Sequence, residues 1–494
     1  MDQPIGVPAE TTAAFVGRAL RGPLNTPVLV HSFTEFRRRF GGFWPGSSLG
    51  FAVEQFFGHG GKQVYVIRVA NNARGAMVCL PALRGVLVLR AVEPGSTEQI
   101  RAAVDYDGVS GEREDLFNLT LQRVASDSGF ILDQEIYRRL TCEAGKDDFV
   151  EDVLLGSSLV RVQGSAPDHR PISTDTDYVE HAQAGTDGLA LSDYDLIGSA
   201  SRGTGLFALN QVEHFNLLYL PPPELGRVPG PAAVLAAELY CRKRAAMLIL
   251  DPPDEWKNAD DAIRGVRDEG YSNPDVLSYF PRMYERENDI APSLAIGGAI
   301  AGLLCKLDRT RGPWEDLDQR GFTLDRNLVP AMHIDSKEAH LLIKGGLNVV
   351  AGHTPGHAML CGSVTLAHGA QVGAEFSDLT TRRLCLTITN AIDRATRWAV
   401  FESHTSAVAE SIVNQVHSFM CALSDAGAFQ NDHFLVQCDA GLRRQPVDPD
   451  RGITILLAFH PAGTDETVSL TLHQSVSGCR VSTTAFAPVR AEVA

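Results

Sequence analysis

The residues best suited to chemistry are two histidines four apart, in the string His353-Thr354-Pro355-Gly356-His357. Such a pair can hold zinc, and a zinc with an open position activates water for hydrolysis. A single zinc takes three protein ligands and two zincs take more, yet no His-x-His occurs anywhere in the chain. The nearest upstream histidines, His333 and His340, are seven apart. The string therefore reads as a Pro-Gly turn flanked by histidines, with a zinc-dependent hydrolase as the alternative. Gly61-Lys62 does not close a phosphate loop either. The first glycine of that motif would fall on Phe56, and Gln63 stands where a Ser or Thr must meet magnesium. Asp448 and Asp450 flank Pro449 without further ligands, the pattern of a solvated loop. These residues nominate no catalytic group, no metal site and no cofactor.

Whatever work the chain does must be positioned by its folded elements, and their pattern is mixed α/β and multidomain. Residues 1–14 are polar and Pro-punctuated, an extended arm. After the turn signals Gly22-Pro23 and Pro27, Val28, Leu29 and Val30 form a short strand. Phe33, Phe36 and Phe40 then share a helix face, with Ser32 as cap and Gly41-Gly42 as stop. A second helix carries Phe51, Ala52, Phe56 and Phe57, and a strand runs from Val64 to Val69. Residues 81–205 switch to short strands around Val86, Phe117 to Val124 and Leu159, with one helix near Asp148 to Leu155 and a loose stretch from Ser192 to Gly205. The α/β alternation returns afterwards, with a helix from Ala232 to Ala245 between strands at Leu217 and Met247. Residues 15–80 and 206–345 thus read as one outer α/β domain into which 81–205 is inserted.

Residues 346–474 read as a C-terminal α/β domain. Its helix from Ala407 to Leu423 places Val408, Ile412, Val416, Phe419 and Leu423 on one stripe. Strands follow at Phe434 and Ile453, and then a strictly alternating strand in which Val468, Leu470 and Leu472 point one way. Residues 475–494 read as a C-terminal arm, able to reach about 65 Å when fully extended.

Composition removes several classes of function. With 44% hydrophobic and 21% charged residues the chain is ordinary for a soluble globular protein. No basic, apolar, then small-residue leader opens it, and no apolar run approaches the ~20 residues that span a bilayer, so a cytoplasmic product without membrane insertion is expected. Nine scattered cysteines without a Cys-x-x-Cys pair suggest neither a disulfide framework nor a zinc knuckle. A net charge of −16 disfavours nucleic acid as a partner. Residues 81–205 hold 22 acidic and 11 basic side chains, a net of −11, so this quarter of the chain carries most of the excess.

Several strings, in order, carry a family resemblance. They begin with Phe15-Val16-Gly17-Arg18, Gly22-Pro23, Phe33, Phe36, Phe40, Gly60-Gly61 and Ile67-Arg68-Val69. They continue with His214-Phe215-Asn216-Leu217-Leu218, Asp251-Pro252-Pro253, Tyr279-Phe280-Pro281, Pro292-Ser293 and Gly297-Gly298. Arg382-Arg383-Leu384 resembles an arginine-bearing strand end, Trp398-Ala399-Val400-Phe401-Glu402 is the most characteristic string, and Val468 to Leu472 closes the series. In this order they resemble the contractile tail sheath proteins of phages, tailocins and extracellular injection systems.

The resemblance implies a structural subunit and no enzyme: hexameric rings stacked around an inner tube, with ejection driven by contraction. Implied partners are copies of itself, paralogous sheath subunits, the tube protein, and baseplate or cap proteins. The implied setting is an assembled particle in a bacterial cytoplasm, a phage virion tail, or a particle released from the cell. It also implies subunits joined by strands added to a neighbour's sheet, with Val468, Leu470 and Leu472 as the candidate strand. A helix facing the tube is implied too, with Glu410, Asn414 and His417 on its exposed face. Gly17, Gly22, Pro23, Trp398, Phe401 and Glu402 would then be structural. Relative to the family, the chain starts without a PGVYVEE-like arm strand and lacks a Trp-Gly-Ala-Arg run near Cys361-Gly362. The expectation is a specialised paralogue at a baseplate or terminal ring.

Overall fold

A computed structural model describes residues 5–6, 10–97, 99–109, 114–125, 128–175, 177–224, 226–285, 293–317, 322–352, 358–367, 376–401, 406–439, 453–464, 466–475 and 478–483. Its first strand, β1 (Ala13–Gly17), is buried along its whole length. A strand of that kind belongs at the centre of a sheet covered on both faces. Beside it the chain lays down β2 (Val28–Val30), α1 (Phe33–Phe40), α2 (Leu49–Gly58) and β3 (Val64–Arg68). Helix α1 starts where the Ser32 hydroxyl accepts the Glu35 N–H at 3.1 Å, and it stops at Gly41, whose φ of 94° suits a residue without Cβ.

The chain then leaves this sheet. β4 (Met77–Pro81), β5 (Val86–Ala91), β6 (Gln99–Asp105), β7 (Leu116–Val124), β8 (Ile131–Thr141), α3 (Val150–Leu154) and β9 (Val160–Val162) form two antiparallel sheets, β4-β5-β9 and β6-β7-β8. They enclose an apolar cluster of their own, built on Val78, Leu89, Phe117, Leu119 and Leu121. Where a loose stretch was expected, α4 (Asp193–Ile197) forms. Ser192 and Asp195 close a capping box there, a signal spelled by the Ser-x-x-Asp spacing.

The sheet is rejoined at β10 (Leu217–Tyr219), followed by α5 (Pro231–Arg244), β11 (Met247–Leu250), α6 (Ala259–Asp268) and β12 (Val276–Phe280). A small ribbon of β13 (Met283–Glu285) and β14 (Leu328–Pro330) brackets α7 (Gly297–Thr310). Then come α8 (Ser336–Lys344), β15 (Asn348–Ala351) and β16 (Met359–Cys361). The full order is β16-β15-β12-β11-β10-β1-β3-β2, parallel throughout except at the two edges. Alternate side chains of β1 face opposite cores. Ala13 and Phe15 pack with α2 and α7, while Ala14 and Val16 pack with α5 and α6. The boundary expected at residue 346 is corrected by this topology, because β15 and β16 complete the large sheet and do not open a new domain.

The last layer begins at α9 (Leu379–Thr396), continues through a 3₁₀ turn at Arg397–Phe401 to α10 (Ser406–Asp425), and ends in β17 (Leu435–Asp439), β18 (Ile453–Phe459), β19 (Val468–Ser475) and β20 (Gly478–Thr483). These strands form one antiparallel sheet in sequence order. Part of the expected C-terminal arm is therefore β20, paired with β19 from Leu470↔Thr483 to Ser475↔Gly478. Arg382-Arg383-Leu384, expected at a strand end, lies inside α9, whose start is fixed by Asp378 accepting the Thr381 N–H at 2.7 Å. No helix among the described residues is long and apolar enough to cross a membrane.

Helices α2 and α7 approach so closely that a Cβ on Gly298 would collide with the Ala52 carbonyl oxygen, and one on Gly302 with that of Phe56. Substituting Gly298→Val should therefore destabilise the fold by about 1–3 kcal/mol or more, read as a lowered midpoint in chemical denaturation.

Candidate assembly interface

The alternating pattern of the final sheet puts Ile453, Ile455, Leu457 and Phe459 of β18, and Val468, Leu470 and Leu472 of β19, against α9 and α10 in one buried cluster. The other face is half-open, with Leu456 37% and Leu435 49% exposed. Val468, Leu470 and Leu472 therefore serve the core of their own chain. Their strand is hydrogen-bonded on both sides, to β18 and to β20, so it offers no free edge in this arrangement. Period-2 alternation shows that a strand is covered on one face but says nothing of its edges. The strands at the rim are β17 and β20, each with a single partner among the described residues.

On α10 the apolar stripe of Ile412, Val416, Phe419 and Leu423 is fully buried, and Glu410, Asn414 and His417 are exposed on the other side. The ring of His417 lies 5.1 Å from that of Phe434, and its Nδ1 is 3.5 Å from Cys421 Sγ. This leaves a polar helical face with two acids, Glu410 and the terminal Asp425, and no Lys or Arg on the helix itself.

Besides the apolar contacts of Leu379 and Leu386, polar and ionic contacts of α9 tie this layer to the large sheet. Arg382 donates to Asp275 Oδ1, at 2.8 Å from Nε and 2.5 Å from Nη2. The neighbouring Arg383 pairs with Asp308 of α7, and both side chains are almost wholly buried, at 5% and 7% exposure. Asp308 also accepts the Thr11 hydroxyl, so a single carboxylate holds the lead-in to β1, α7 and α9 together. Alongside, Asn390 donates to the Ala245 carbonyl at 2.7 Å. His214 sits in the same join. Burial, reinforced by the guanidinium groups of Arg394 and Arg244, holds its pKa down to about 4.

The separate family strings meet at a second polar node. Asp251 is buried and accepts N–H groups from Ile296, at 3.2 Å, and Gly297, at 3.0 Å, at the start of α7, together with the Tyr219 hydroxyl. Arg282 donates to the Pro252 carbonyl at 3.1 Å and to the Ser293 hydroxyl and carbonyl, both at 2.8 Å. Sequence reading did not single out Arg282; its one signal is its place directly after the Tyr279-Phe280-Pro281 string. A third node surrounds the 17–23 turn. There the fully buried Arg68 donates to the carbonyls of Ala19 at 2.9 Å, Gly22 at 2.6 Å and Pro94 at 2.7 Å. Gly22 has a φ of 101°, and a Cβ there would sit 2.8 Å from the Phe40 ring; Pro23 follows it directly. Gly17 packs beneath Leu49.

Trp398 packs half-buried on the C-terminal core, with its indole N–H unpartnered among the described residues. Phe401 ends the 3₁₀ turn. Glu402 lies outside the described residues, as do His353 and His357 of the zinc alternative. Among the described residues no group of three or more His, Cys, Asp or Glu is placed to hold a metal. Gly46-Ser47-Ser48-Leu49-Gly50 spells the Gly-x-Ser-x-Gly pattern of serine hydrolases, but Ser48 follows no strand and is buried at the start of α2.

Comparison with known proteins places these features in context. No family model matches the chain. The tail sheath protein of Vibrio phage KVP40 is 26% identical over 159 residues, which is 32% of this chain and 23% of that protein, so the match spans under a quarter of the relative's length. The sheath tail protein of Listeria innocua superposes with a TM-score of 0.63 at 13% identity, covering 95% of this chain and 96% of the other. That of Desulfitobacterium hafniense gives 0.58 at 13% identity, over 95% and 98%. The anti-feeding prophage helical sheath in its contracted state gives 0.55 at 13% identity, over 94% and 93%. The likeness to tail sheath proteins is thus present both in sequence and, across nearly the whole chain, in fold.

Removing one member of the buried pair strands the other. Arg383→Met should cost about 3–5 kcal/mol, and adding Asp308→Leu should recover most of it, because the desolvated charge is then gone as well. Paired denaturation curves measure both. For His214 the folded pKa lies below the unfolded value near 6.5, so the unfolded state binds the extra proton. Its contribution to stability is complete above pH 6.5 and is lost as pH falls toward 4. In His214→Asn, the fall in thermal midpoint across that window should be shallower than in the parent.

Proposed function

We propose that this chain, which shares the tail sheath fold and a stretch of related sequence, is a structural subunit of a contractile sheath. It assembles as hexameric rings around an inner tube and drives tube ejection when the rings repack. The observation that carries this reading is the agreement of fold with sheath subunits over more than nine tenths of both chains. The role is mechanical and needs no bound cofactor. Its partners are further copies of the chain and paralogous sheath subunits, the tube protein, and the baseplate or cap that ends the particle, in a phage tail or a related particle assembled in a bacterial cytoplasm. The solved relatives include a baseplate of the anti-feeding prophage.

Subunits in this reading are joined by backbone pairing at the rims of the last sheet, β17 and β20, with β18 and β19 between them. Each hydrogen bond so formed contributes about 0.5–1.5 kcal/mol net, and a ladder of them tolerates rigid-body rotation when the connecting chain flexes. The exposed face of α10, with Glu410, Asn414 and His417, is the surface offered to the tube.

Negative-stain microscopy of the purified protein with a cognate tube protein is expected to show rings or tubular sheaths. Glu410→Lys should leave the thermal midpoint almost unchanged, as surface substitutions do, while weakening capture on tubes. Monodisperse particles at every concentration would defeat the sheath reading, and undiminished capture by the variant would remove α10 from the tube contact.

A further inference from the structure

One buried histidine outside the assembly surfaces is held at both nitrogens of its ring. His59 follows α2 in the turn that leads to β3 and is 8% exposed. It packs beside Gly302 of α7, where a Cβ would come within 3.2 Å of the His59 Cβ. Its Nδ1 lies 2.7 Å from the Gln55 carbonyl oxygen, which can only accept, and its Nε2 receives the Asp325 N–H at 3.0 Å. These two partners fix the neutral ring with its proton on Nδ1.

Asp325, Arg326 and Asn327 form an exposed turn that is closed on itself. Asp325 accepts the Asn327 N–H on Oδ1 at 2.9 Å and the Leu328 N–H on its carbonyl at 3.0 Å. The chain on either side is anchored independently, since Leu324 donates to the Ala358 carbonyl at 3.3 Å and β14 pairs with β13. Among the described residues, the bond to His59 is the only hydrogen bond by which the turn itself is held to the body of the domain. An open cleft of about 610 Å³ separates the turn from residues 58–60 and α7. Lys306 and Arg309 reach this cleft from α7 and Arg326 from the turn, with Asp325 as the carboxylate among its lining residues. On α2, Glu54 lies near Asp325 and Glu285. Arg309 also donates to the Gly60 carbonyl at 3.1 Å, which fixes the backbone that carries His59. Burial, aided by Lys306, holds the His59 pKa below its ordinary value near 6.5, against the pull of the Gln55 carbonyl and the Asp325 carboxylate.

We infer that His59 is an acid-released latch: a proton added at Nε2 meets the Asp325 N–H donor to donor, breaks that bond and frees the 325–327 turn over the cleft. The loss follows from geometry, because an imidazolium has no lone pair left with which to accept. The neutral ring favours the closed turn, so the latch is complete above about pH 6.5 and weakens as pH falls through the lowered folded value. The device belongs to the single subunit and goes beyond the sheath reading without resting on it.

Hydrogen exchange of the full-length chain, followed by mass spectrometry between about pH 7.5 and 5 and corrected for the intrinsic rate, tests the latch. Protection of a peptide spanning residues 322–328 should fall about fivefold or more across that range, the effect of stranding one buried donor. Peptides from β1 and β10 should keep their protection, which separates local release from global unfolding. In His59→Gln, whose side-chain amide can both donate to Gln55 and accept from Asp325, the fall should vanish. In Asp325→Asn, which removes the carboxylate that favours the imidazolium, the fall should move to lower pH. Constant protection of residues 322–328 in the wild type would overturn the latch, as would a fall that persists in His59→Gln or keeps its midpoint in Asp325→Asn.

Discussion

The structure depends on one constraint: a sheet whose central strands are parallel and apolar on both sides must be covered on both faces. β1, β10, β11 and β12 are buried almost completely, and every helix from α1 to α8, apart from the short α3, lies in the part of the chain that wraps this sheet. The sheet cannot close until β15 and β16 arrive after residue 346. The insertion between β3 and β10 is therefore free to carry a separate core, and the final layer must attach from outside.

That attachment is where packing and mechanics meet. Helix α9 contributes Leu379 and Leu386 to the core of the large sheet, and Leu384, Ile388 and Ile392 to the core of the last one. Two arginines at its start reach Asp275 and Asp308, so the join is apolar along the helix and ionic at one end. Buried ion pairs add little net stability against an apolar replacement, but they fix geometry, because a displaced partner leaves a charge stranded. The join between the two layers is therefore held to one register.

The three polar nodes explain why short strings far apart in the chain belong together. Asp251, Arg282, Ser293 and Gly297 meet around one buried carboxylate and one buried guanidinium, and Arg68 gathers the carbonyls of the 19–22 turn. Each string looks unremarkable alone, since its residues satisfy backbone groups contributed by another.

By itself the sequence determined the local elements. Ser32 and Gly41 bounded α1, the stripe from Val408 to Leu423 defined α10, and the alternation from Val468 to Leu472 defined a strand with one covered face, because caps and periodicity are properties of neighbouring residues. It also placed Glu410, Asn414 and His417 on an exposed face. What only the tertiary structure decided was partnership at a distance: that β15 completes the first sheet, that β20 closes over β19 and leaves β17 and β20 at the rim, and that Arg382 and Arg383 lie in a helix that bolts two layers together. Strand order and charge pairing join residues tens to hundreds of positions apart, and no local pattern encodes which of several compatible neighbours is chosen.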